Sequence, residues 1–177
     1  MKRLLIAGAV AALTASGAAH AQEMYGWTPA GTVTPTPPAP AYLMLAGAGD
    51  LYEIESSRLV LESTSDAALR RFAQMMIEHH TGTMRAAEAA AREAGLTPSP
   101  PMLDAPKAAM IEALRQYDGA ERDRLYLSQQ MMAHKEALGL QKTYADNGDA
   151  PQLRTAARNA LPIIQRHLAE VERLEVR

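Results

Sequence analysis

The chain has 177 residues, 47% of them hydrophobic, with no cysteine and a formal net charge of −2. That length suits one ordinary domain with a core of its own. Zero cysteine excludes disulfide scaffolds, thiolate zinc and iron–sulfur sites and thiol nucleophiles, and the charge gives no reason to expect nucleic acid as a partner.

In chain order, Lys2 and Arg3 precede an apolar stretch from Leu4 to about Ala15, and small residues then end in Ala19-His20-Ala21. A basic start, an apolar run and an A-x-A site predict a secretory signal peptide over residues 1–21, cut after Ala21. The run is short of the ~20 residues a membrane span needs, and no later segment reads as a span. Removing 21 of the 177 residues leaves a mature chain of 156 that starts at Gln22. Its expected destination is the periplasm or the extracellular medium. Residues 22–41 hold five prolines and no charge after Glu23, which predicts an extended arm carrying Tyr25 and Trp27.

Residues 42–177 read as helix, because Ala, Leu, Met, Glu and Arg are common and β-branched residues few. Helix one is expected from about Tyr42 to Glu62. Ser65 or Asp66 then caps helix two, which ends near Ala94 at Gly95. Asp104 with Pro106 opens a short third helix to about Tyr117. Helix four spans about Ala120 to Ala145 and stops at Asp146-Asn147-Gly148. Asp149 is the expected cap of the last helix, with Pro151 in its first turn and Pro162 as a local kink. The prediction is an all-α fold, an up-down four-helix bundle with one short connecting helix.

Three apolar stripes at heptad spacing each contain one histidine. They are Leu153, Ala157, Ala160, Ile164, His167, Val171, Leu174; Leu127, Met131, His134, Leu138; and Leu69, Ala73, Met76, His80, Thr83, Ala87, Ala90. Helix one places Glu55 in a row with Ala48, Tyr52 and Leu59. A histidine in a core costs desolvation unless it is hydrogen-bonded or binds a metal, and bundles build metal sites from facing helices. Counted from the shared turns, His80 lies about six residues deeper than Glu55, and His167 about six deeper than His134, roughly 9 Å each. Neighbouring pairs are therefore not expected to be level, and Asp50 is nearer to His80. His79 is about 100° round the helix from His80. With Met76 and Met131 close by, thioether and imidazole together suit copper first, then iron or zinc. The candidate ligands are His80, His134, His167, Glu55, His79, Met76 and Met131. The competing reading is a non-catalytic structural or stress-related bundle whose histidines form a buried hydrogen-bond network with no metal, His80 with Glu55 or His134 with Tyr52 or Tyr126. Enzymatic motifs are missing: there is no HExxH, P-loop or GxSxG, and no paired bridging carboxylates for an oxidase. Homo-oligomerisation stays open.

EIES at Glu53–Ser56, RRFAQMMIEHH at Arg70–His80, YLSQQMMAHKEAL at Tyr126–Leu138, the YADNGD turn and LPIIQRHL at Leu161–Leu168 share an order and spacing. Together they resemble an exported bacterial family, the domain of unknown function four-one-four-two, described as ferritin-like. The resemblance covers about Ala41 to Val171 and implies a ferritin-like four-helix bundle. It puts the family's helix-one glutamate on Glu55 and its histidines on His80, His134 and His167. His79 stands where family members usually carry an acidic residue. A narrower resemblance, over helix two alone, is to exported metal-binding bundles with an M-I-x-H-H motif, some associated with copper. It does not extend to iron storage, since the Glu-x-x-His repeats of di-iron proteins are missing.

Overall fold

The computed structural model describes residues 35–176, so the expected signal peptide, its cleavage site, Tyr25, Trp27 and most of the proline-rich arm lie outside the described residues. Among the described residues all regular structure is helical: α1 Ala39–Ser63, α2 Ala67–Glu93, α3 Ala105–Arg115, α4 Gly119–Asn147 and α5 Pro151–Glu175. None of these helices is long and apolar enough to cross a membrane.

The boundaries follow local chemistry. α1 starts three residues earlier than expected, because Pro38 and Pro40 occupy its cap and first turn, where a fixed φ helps and a missing N–H costs nothing. Asp66 accepts from the backbone of Ala68 at 2.7 Å and Leu69 at 3.0 Å. α2 closes on Gly95, at φ +76°. Leu96 N–H bonds Ala91 O and Gly95 N–H bonds Arg92 O, the Schellman pattern. Asp104 caps α3 through Lys107 N at 2.8 Å. α5 continues as helix through Pro162.

Asp149 does not cap α5; Ala150 occupies that position without a side-chain bond. The Asp149 carboxylate instead accepts from the Tyr144 hydroxyl at 2.8 Å and from Ala39 N–H at 3.3 Å. It thereby ties the end of α4 to the start of α1, and the Tyr144 bond holds its own pKa below the usual carboxylate value.

Two large apolar clusters, with a small one of Tyr52, Ile111 and Ala133, hold the bundle. One joins Tyr42 and Ala46 of α1, Ala90 and Ala91 of α2, Tyr144 and Ala145 of α4, and Leu153 and Ala157 of α5. The other joins Val60, Leu69, Phe72, Met76, Leu114, Tyr126, Val171 and Leu174. The start of α1 thus meets the ends of α2 and α4, while the end of α1 meets their starts. α2 and α4 run parallel, because the connection from Ala94 to Asp118 carries the chain back along the bundle before α4 begins. Strict up-down alternation, expected from short loops, is therefore replaced by an up-down-down-up order with one crossover, and α3 lies on that crossover. Each long helix packs on two others: α1 on α2 and α4, and α5 on α2 and α4.

Tyr42 and Tyr144 stack with ring centroids 3.7 Å apart. A Cβ on Gly148 would lie 2.5 Å from the Tyr144 ring, closer than packed carbons tolerate. Gly148→Ala is expected to displace that ring and cost about 1–3 kcal/mol, read as a lowered urea midpoint with an unchanged m-value.

Candidate metal centre

Between the two apolar clusters the helices contribute a buried polar layer. Asp50 stands thirteen residues before the end of α1 and His80 thirteen after the start of α2, so the pair is level across their shared turn. His80 Nδ1 lies 2.8 Å from Asp50 Oδ1. On the other side, His134 precedes the end of α4 by thirteen residues and His167 follows the start of α5 by sixteen. The remaining three-residue offset, about 4.5 Å at helical rise, closes because side chains lean toward their own helix N-terminus. In this antiparallel pair the two imidazoles lean toward each other. The expected six-residue mismatch is thus corrected, and His134 Nε2 lies 3.0 Å from His167 Nδ1.

The three imidazoles form one group. Ring centroids are 5.5 Å apart for His80–His134, 5.2 Å for His80–His167 and 5.1 Å for His134–His167. One nitrogen from each can be chosen so that all three lie within 4.8 Å of one another. His80, His134 and His167 are 5%, 1% and 0% exposed.

Every one of these rings is anchored from outside the group. Nδ1–H of His80 donates to Asp50, and Nδ1–H of His134 donates to the Gln130 carbonyl at 2.9 Å. Nε2 of His167 lies 2.8 Å from His79 Nδ1, with those rings stacked at 5.1 Å. Each ring therefore keeps one nitrogen for the shared centre, and His80 Nε2 is buried without a hydrogen-bond partner.

Of the other expected ligands, half-buried His79 supports His167 from behind rather than joining the three. Glu55 is half-buried and stands outside the group. Two residues are 200° of helix, so the carboxylate in the core is Glu53, at 3% exposure. Its Oε1 is 3.4 Å from His134 Nδ1, farther than the Gln130 carbonyl, and its Oε2 has no partner. Met76 belongs to the apolar cluster that contains Phe72, and Met131 packs against it. Neither tyrosine satisfies His134: Tyr52 donates to Gln129 at 2.9 Å and Tyr126 pairs with Ser57 at 2.8 Å. Glu53 escaped the sequence reading because Tyr52 and Ile54 flank it and fit no single apolar row. Its signal was an acid three residues after Asp50, on the face that carries the His80 partner.

Burial sets the protonation of the layer. It pushes Glu53 up to about 7, against the pull of His80. Burial also opposes charge on His80, but the Asp50 carboxylate, with Glu53, more than offsets it and raises the imidazole above its usual 6.5. Burial and then the charge on His80 lower His134 to about 3 and His167 to about 2.

Stability then has a defined acid limb. Below pH 6.5 an unfolded chain protonates both His134 and His167 while the folded chain does not, so their contribution is lost as pH falls toward 3. Glu53 acts oppositely: raised from 4.5 to about 7, it favours the folded state increasingly as pH falls through that range. His80, raised above 6.5 in the folded chain, drops out once pH is well below 6.5 and both states are charged. From pH 6.5 to 4.5 this layer should cost a net one proton, about 1.4 kcal/mol per pH unit. Glu53→Gln should steepen that fall by about as much again, measured as urea stability at pH 6.5, 5.5 and 4.5.

A crystal structure of a DUF305 fragment from Deinococcus radiodurans is similar in fold, with a TM-score of 0.68 at 16% identity, over 80% of this chain and 98% of that one. No curated protein matches the sequence. The family described as domain of unknown function DUF4142 matches residues 28–174, starting earlier than the segments that first suggested it. With most of its length inside that match, the chain belongs to the DUF4142 family.

Proposed function

We propose that this protein is an exported ferritin-like bundle that holds one transition-metal ion on His80, His134 and His167. The observation that carries this reading is the outward anchoring of all three rings, to Asp50, the Gln130 carbonyl and His79, which leaves one nitrogen of each for a common centre. Metal-bound imidazoles characteristically donate their second nitrogen to a carboxylate, carbonyl or similar partner. Metal–nitrogen bonds of about 2 Å hold two donors at most about 4 Å apart, so nitrogens already within 4.8 Å of one another need only a small inward shift. Copper is the favoured ion, since it binds nitrogen ligands most tightly among the divalent first-row metals. Zinc and iron are the alternatives. Export rests on the expected signal peptide, and the ferritin-like comparison on the single crossover between two antiparallel helix pairs. That connectivity does not bring iron oxidation with it.

A second reading has its own support. His79 Nδ1–H to His167 Nε2, His167 Nδ1–H to His134 Nε2, and His134 Nδ1–H to the Gln130 carbonyl make a continuous donor chain without a metal. It leaves His80 Nε2 and Glu53 Oε2 unsatisfied, whereas a cation at the centre would take the first and balance the charge of the second.

Titration of the full chain with Cu²⁺ and with Zn²⁺, followed by calorimetry and metal analysis, should give one site per chain. His80→Ala/His134→Ala should abolish it, and equal metal content in that variant and the wild type would overturn the centre. Asp50→Asn should weaken affinity about 10–100-fold while far-UV circular dichroism is unchanged.

A further inference from the structure

Asp50, the acid that holds His80, lines two cavities. One, of about 530 Å³, lies against the loop from Leu96 to Asp104 and carries Met44, Met84 and Met102, but no histidine. The other, of about 310 Å³, is lined by His79, Glu78 and Gly82 of α2 and by Ala156 and Ala160 of α5, among others. Of the two, only the second touches an imidazole, and that imidazole is hydrogen-bonded directly into the buried group.

Resting on the three-histidine centre proposed above, we propose that this second cavity is the port by which a free transition-metal ion reaches it, with His79 the first imidazole the ion meets. The exposed carboxylate of Glu78 also lines the cavity and attracts a cation. Behind it stands His79, half-buried, with His167 next in line at 2.8 Å. Gly82 explains how this imidazole stays open. A glycine inside a helix costs about 1 kcal/mol relative to alanine, and here no steric demand compels it, since an added Cβ would meet nothing within 4 Å. A helical side chain covers the turn N-terminal to its own Cα, so a residue longer than glycine at 82 would lie over Glu78 and His79.

The test is the kinetics of loading. Gly82→Leu in the full chain keeps every proposed ligand and raises helix propensity, and Gly139→Leu is its control. Gly139 is likewise exposed within a helix, has open space around it and lines neither cavity. Stopped-flow mixing with Cu²⁺, and release into a chelator, give the two rates. Gly82→Leu should slow uptake and release together, each by about tenfold or more, and leave Kd unchanged; Gly139→Leu should match the wild type. Wild-type rates in Gly82→Leu would overturn the port while the centre stands, and would mean that the ion enters elsewhere. Weaker binding without slower release would overturn it too. A wild-type chain that takes up no ion would remove the centre itself, and the port with it.

Discussion

The bond between His80 and Asp50 is the constraint around which the middle of the bundle is arranged. An imidazole at 5% exposure in an alanine-rich core loses its hydration, and burial without a partner costs several kcal/mol. Asp50, its side chain 14% exposed, supplies that partner and fixes the ring orientation, because a carboxylate accepts and Nδ1 must then donate. Once His80 keeps its charge, its neighbours cannot easily take one. His134 and His167 are held neutral by burial and by that charge. Burial, reinforced by one ion pair at the edge of the layer, thus keeps the other two imidazoles neutral.

Such a layer is tolerable only because apolar packing continues on both sides. Tyr42, Tyr144 and Leu153 close one end and Phe72, Tyr126 and Val171 the other. Several polar residues between bond in pairs that cross from α1 to α4: Ser57 with Tyr126, Ser56 with Gln130 and Tyr52 with Gln129. The crossover is pinned in the same way. Gln129 Nε2 reaches the carbonyl of Met110 on α3, while Arg122 donates to the carbonyls of Leu59 and Tyr117, at 2.7 Å each. These bonds hold α1, α3 and α4 in one register, and that register brings Glu53 beside His134.

How much of this could be read from the sequence depended on the helix. For α5 the heptad stripe from Leu153 to Leu174 matches its buried residues one for one, His167 included, because most of its exposed positions are polar. α4 resisted: its buried row runs through Arg122, Tyr126, Gln130 and Ala133, while Leu127, Met131 and Leu138 are only half-buried. A search for apolar residues misplaces a face whose core positions are filled by hydrogen-bonded Tyr and Gln. The same limitation put Glu55 where Glu53 belongs. Helix caps were legible where a side chain reaches its own helix, as with Asp66 and Asp104. Asp149 failed because its partners, Tyr144 and Ala39, belong to other helices. The level of the histidines failed for a geometric reason, since sequence distance to a turn ignores where each helix ends and which way its side chains lean.

The charge of the layer bears on what it can hold. Asp50 and Glu53 bring up to two negative charges next to three imidazoles that are, apart from His80, neutral. A single proton on His80 balances only one of them, and burial answers the imbalance by pushing Glu53 to about 7, so that near neutrality it is only partly ionised. A divalent cation bound by the three inward nitrogens would displace the His80 proton and balance both carboxylates at once. It would also turn each outward hydrogen bond into the support that a metal-bound imidazole needs. The two readings therefore differ in a countable way: a metal centre exchanges protons for its ion, from His80 and in part from Glu53, whereas a network keeps them. Proton release on metal addition is the quantity in which that difference resides, and it follows from the placement of two acids around three imidazoles.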